Sequence, residues 1–118
     1  MKLRTALVIL ATSSLLASCA HTEPQPSNIA SGIRSAKTSA DHEAVARQYD
    51  DLAKGMQARA EQQKRMLEEY NRHAYYYGRQ TEDLIEHTEA LVRVHQEGAD
   101  AYSNLAHYHR LLAEDAKQ

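Results

Sequence analysis

Between Thr38 and Ala116 the chain contains no proline, and its helical patterning breaks only at Gly78, followed by Arg79 and Gln80. Long runs of this kind, with apolar residues returning at heptad spacing, fold as amphipathic helices. On the first run one row is Ala46, Ala53, Ala60, Leu67 and Ala74, flanked by Val45, Leu52 and Met66. On the second the rows are Leu84, Leu91, Gly98, Leu105 and Leu112, and beside it Ile85, Val92, Ala99, Ala106 and Ala113. Thr38 and Asp41 have capping-box spacing, with Ser39 as a competing N-cap. Thr81 followed by Glu82 and Asp83 reads as a second N-cap, and Gly78 as a helix stop. The pattern therefore predicts helices over about 41–77 and 82–116. The short connection between them forces an antiparallel helical hairpin, an all-α fold.

Centring the turn on Arg79 makes facing residue numbers add to about 158. Ala46 then faces Leu112, Ala53 faces Leu105 and Ala74 faces Leu84, so small meets large, as interdigitating layers require. The same register sets Tyr49 against His109 and Gln63 against His95. Ala60 and Gly98 leave its middle thin, with Arg59 opposite Ala99. Arg59, Gln63, His95, Tyr49 and His109 are therefore the candidate ligand or partner layer of the seam.

The second helix is apolar over an arc wider than one seam needs, with Val94, Ala101 and Tyr108 at the margin. An uncovered strip of that kind marks a contact surface. The expectation is a homo-oligomer, two hairpins pairing into a four-helix bundle, or a second envelope protein on the same strip. A core of Ala, Leu and Tyr without Phe or Trp is thin for a lone small domain, which points the same way.

Ahead of the hairpin stand two other segments. Lys2 and Arg4 precede an apolar run, Ala6 to Leu16, that is too short to span a bilayer as a mature helix. It ends in Leu16-Ala17-Ser18-Cys19. This order of charge, apolar run, small residues and cysteine resembles the lipobox of bacterial lipoprotein precursors. The resemblance implies a signal peptide over 1–18, cleavage before Cys19, and acylation of Cys19 as the membrane anchor. Ala20 occupies the place where an Asp favours inner-membrane retention in such lipoproteins. That implies an outer-membrane lipoprotein facing the periplasm, with the inner membrane second. Residues 19–39, which hold Pro24, Pro26, Ser27 and Asn28, read as a flexible tether, and 40–118 as the hairpin domain. The spacing Ala106-x-x-His109-x-x-Leu112 is similar to that of small Ala- and His-rich helical bacterial proteins, a resemblance that carries no activity with it.

Removing Lys2 and Arg4 from 14 basic residues leaves 12 against 16 acidic ones, a net charge of −4. That balance argues against nucleic acid as a partner. Cys19 is the one cysteine, so an internal disulfide is excluded. Seven histidines raise a metal hypothesis, but none has a second histidine three or four residues away on its helix. No metal or other cofactor is therefore expected on the main reading, and a histidine-based metal- or ligand-binding module is the runner-up. No nucleophile, glycine loop or HExxH motif supports an enzyme. Tyr75, Tyr76 and Tyr77 fall on three sides of a helix, so no shared stacking face is expected from them.

Overall fold

The computed structural model describes residues 26–117. Its elements are α1 (Pro26–Ser35), α2 (Ser39–Arg72), a short α3 (Ala74–Tyr77), a 3-10 turn (Gly78–Gln80) and α4 (Thr81–Asp115). The described residues contain no strand. The long helices, α2 and α4, lie against each other as an antiparallel hairpin, each about 50 Å long at ~1.5 Å per residue.

The capping box starts α2. Thr38 is the N-cap with extended backbone, φ −106° and ψ 161°. The Asp41 N–H donates to Thr38 Oγ1 at 3.2 Å, and the Thr38 and Lys37 N–H groups donate to Asp41 Oδ2 at 2.9 and 3.1 Å. These N–H groups, Lys37's first, hold the Asp41 carboxyl below its ordinary value. α2 ends where His73 leaves helical geometry, with φ −118° and ψ 31°, while its Nδ1 pairs with Glu69 Oε1 at 2.7 Å. Gly78 takes φ +58°, a region that suits glycine and lets the chain reverse. Thr81 is not an N-cap. It already has helical angles, and its hydroxyl donates back to the carbonyls of Ala74 at 2.7 Å and Gly78 at 2.9 Å. The 3-10 turn runs straight into α4, so the chain has no extended N-cap residue there.

The hairpin buries small residues. Ala46, Ala53 and Ala60 on α2 and Ala99, Ala106 and Ala113 on α4 are each 4% exposed or less. The expected small-against-large layers are therefore replaced by alanine on both sides, and the leucine row points outward: Leu91, Leu105 and Leu112 are 40–46% exposed. Alanine lets two backbones come close without any large side chain to interdigitate, and it keeps full helix propensity.

The segment read as a tether is partly helix. α1 folds back on α2, where Ile29 joins Val45, Ala46, Tyr49 and Ala106 in the one buried cluster found among the described residues. Gly32 lies at this contact, where a Cβ would stand 3.4 Å from Val45 Cγ2. Residues 1–25, with the expected signal peptide and Cys19, lie outside the described residues.

Candidate interaction surface and histidine pair

Two features stand out on this scaffold. The first is the outer face of α4. Leu84, Leu91, Gly98, Leu105 and Leu112 recur every seven residues, and His87, Val94, Ala101 and Tyr108 stand three after each of the first four. These are the a and d positions of a heptad. Leu105 immediately precedes Ala106 and Leu112 precedes Ala113, so the stripe lies ~100° around the helix from the alanine seam. α4 is therefore apolar on two faces; α2 takes the alanine seam and reaches the other only at its edge, where Met56 lies against Gly98. On the other, Val94 and Tyr108 are 59% and 60% exposed. From Leu84 to Leu112 the stripe runs about 42 Å at ~1.5 Å per residue.

The second feature is a ring cluster between seam and stripe at the open end of the hairpin. His42 and His109 meet with Nδ1 atoms 3.2 Å apart, so one ring donates and the other accepts. Tyr49 lies beside two rings of α4, with centroids 6.1 Å from Tyr102 and 5.7 Å from His109. Burial, and then the nearby His42, lower the His109 pKa below its ordinary value. A nitrogen pair alone is a weak metal site, and among the described residues no three His, Cys, Asp or Glu side chains gather to hold an ion.

Of the five candidate seam residues, the structure brings Tyr49 and His109 together as expected. His95 is half-buried, and its Nδ1 is enclosed without a hydrogen-bond partner. Gln63 is half-buried and Arg59 is exposed on α2. The middle of the seam is filled in part by Met56, whose Sδ would lie 3.5 Å from a Cβ on Gly98. On the other side it opens into a shallow groove of about 350 Å³ floored by Ala60 and Ala99 and edged by Gln57, Glu61, Gln96 and Asp100. Near that groove's side of the hairpin Arg110 donates to the Asp50 carboxylate.

Sequence reasoning missed the His42–His109 contact. The two add to 151, one heptad below the expected register, and the signal lay in their sharing rows with Tyr49 and Tyr102. It also missed a ring contact at the tip. Beyond the break at His73, Tyr75 and Tyr76 lie tilted by 41° with centroids 4.0 Å apart, and both stay about 70% exposed, while the three tyrosines share no stacking face. Their hydrogen bond raises the Tyr75 pKa. Tyr77 instead meets Tyr70 edge-on at 5.1 Å.

Among the described residues no helix is long and apolar enough to cross a membrane. No protein-family model matches this chain, and neither a curated protein nor a solved structure matches it.

Proposed function

We propose that this protein is a lipid-anchored component of the bacterial cell envelope that works by contact with other proteins. In this reading the segment 1–18 is removed, an acylated Cys19 holds the chain to the outer membrane, and the hairpin stands in the periplasm. Several acyl chains on one residue anchor firmly, whereas a single chain does not. The observation that carries the interaction role is the uncovered a/d stripe on α4, whose Val94 is 59% exposed. A solvated apolar stripe of that length costs solubility unless something covers it. The stripe is taken by another hairpin or by a second envelope protein.

The test is Cys19→Ser in cells. It is expected to remove incorporated acyl label and to release the protein from the membrane fraction. Unchanged membrane retention of that variant refutes the anchor.

The His42–His109 contact favours a second reading, a periplasmic metal- or ligand-binding module, because two Nδ1 atoms 3.2 Å apart can face one ion. Stoichiometric zinc or copper uptake by the purified protein, abolished by His109→Gln, selects that reading. Uptake unaffected by His109→Gln removes it.

A further inference from the structure

We propose that α1 is a releasable strap: it docks on the hairpin through Ile29 and leaves as a unit while α2 and α4 stay paired, which gives the chain between Cys19 and the hairpin two lengths. The release stands on the contact itself; its meaning as reach rests on the anchor proposed above.

The contact sets one apolar side chain against one stranded polar atom. Of residues 28–35 Ile29 alone is buried, at 4% exposure, while Ile33 is 42% exposed. At the same contact the Gln48 side-chain oxygen is enclosed without a hydrogen-bond partner. α1 lies against it: a Cβ on Gly32 would stand 3.8 Å from that oxygen. A buried acceptor without a donor costs about as much as one buried apolar side chain gains, so docking is only narrowly favoured. Departure of α1 opens the oxygen to water and removes that cost. The helix adds little of its own. It has ten residues, too few to persist alone in water. Asn28, Ser31, Gly32 and Ser35 are poor helix formers. The Ser31 and Ser35 hydroxyls donate to the carbonyls of Asn28 at 2.8 Å and Ser31 at 3.0 Å, in competition with main-chain bonds.

α2 does not need α1 to begin. Its first turn is closed by Thr38 and Asp41, and the Asp41 carboxylate accepts from the Lys37 and Thr38 N–H groups. Ala53, Ala60, Ala99 and Ala113 are buried in the seam outside the cluster that Ile29 joins. The corner between α1 and α2 is therefore the hinge. Because α1 folds back along α2, docking shortens the lead into the hairpin. From Cys19 to Pro26 the chain spans at most about 25 Å, and from Cys19 to Thr38 at most about 65 Å, at ~3.5 Å per residue. Release lets the hairpin stand up to ~40 Å further from Cys19. The same step uncovers Val45 and Tyr49, which Ile29 packs against.

Amide hydrogen exchange on the full chain carrying Cys19→Ser tests the release. The helical N–H groups of residues 30–36 are expected to be protected, yet to exchange faster than those around Ala53 and Ala99, because α1 opens without the hairpin. Two further changes should move α1 in opposite directions. Ile29→Ala removes the apolar hold and is expected to speed α1 exchange by fivefold or more, up to about 50-fold. Gln48→Met keeps the side chain's length, removes the stranded oxygen, and is expected to slow α1 exchange by about fivefold or more. In both variants the amides around Ala53 and Ala99 should exchange as before. Wild-type α1 amides that exchange together with the seam, or that show no protection at all, overturn the proposal. So does a Gln48→Met chain with α1 exchange unchanged, or an Ile29→Ala chain in which the seam opens as much as α1. Because Cys19 is replaced in every sample, these results do not depend on the anchor. Unchanged membrane retention of Cys19→Ser in cells removes the reach and leaves the release standing.

Discussion

Leu105 and Ala106 are adjacent on α4 and have similar helix propensity, so changing their sizes one at a time isolates packing. Ala106 is fully enclosed, in a cluster with Ile29, Val45, Ala46 and Tyr49. Ala106→Leu adds three carbons at a point where α1, α2 and α4 all converge, and no neighbour can yield without moving a helix. Overpacking of that kind costs about 1–3 kcal/mol, and an alanine-to-alanine contact belongs at the upper end, near ~3 kcal/mol. Leu105→Ala removes the same three carbons, worth ~2.4 kcal/mol if fully buried at ~0.8 kcal/mol per methylene. Leu105 is 40% exposed, so at most ~1.4 kcal/mol of that is realised within one hairpin. The assay is urea unfolding followed by circular dichroism on dilute protein, where a second copy does not cover Leu105. At an m value of ~1.5 kcal/mol/M the two midpoints should differ by roughly 1 M, with Ala106→Leu the weaker variant. If Leu105→Ala is as destabilising as Ala106→Leu, or more so, the leucine row faces α2 and the alanine seam is wrong.

The remaining predictions concern pH and the turn. The folded His109 pKa lies below the unfolded value near 6.5, so the unfolded chain binds the extra proton first. Stability should be complete above pH ~6.5 and decline as pH falls from there toward the folded pKa, and His109→Gln should flatten that part of the urea midpoint profile. A profile equally steep in His109→Gln places the effect elsewhere. Gly78 has φ +58° and ψ −129°, so Gly78→Ala should cost about 1–3 kcal/mol through backbone strain, although a Cβ there meets nothing within 4 Å. A neutral Gly78→Ala by thermal unfolding would mean that the tip adopts another turn.

The two long helices were legible because proline is absent, apolar residues recur every seven, and Thr38 and Asp41 have one productive arrangement. The side of α4 that faces inward was not. Its alanine row and leucine row lie ~100° apart, and both repeat every seven residues, so periodicity alone leaves two solutions. The preference for burying the larger residues chose the wrong one. α2 offers alanines rather than holes, and close backbone approach turns the leucines away. Helix α1 was hidden for a different reason. Its sequence is rich in Ser and holds Asn28 and Gly32, and one buried side chain, Ile29 at 4% exposure, joins it to the core. Docking of that kind is a tertiary effect with no local signature. Thr81 had the residue type of a cap, but the 3-10 turn before it supplies the backbone that a cap would replace. Of the site, Tyr49 with His109 was readable from the hairpin register. His42 was not, since side chains as long as two histidines bridge between layers one heptad apart.

The stripe on α4 is tested most directly by sedimentation equilibrium of the chain from residue 19, carrying Cys19→Ser, over a wide concentration range. The wild-type sequence is expected to pass from monomer to dimer as concentration rises. Val94→Glu replaces a side chain that is 59% exposed in one hairpin and would be enclosed between two. That variant is expected to stay monomeric with its helix content unchanged. A wild-type chain that is a folded monomer at every concentration, or a Val94→Glu chain that dimerises as the wild type does, contradicts the account.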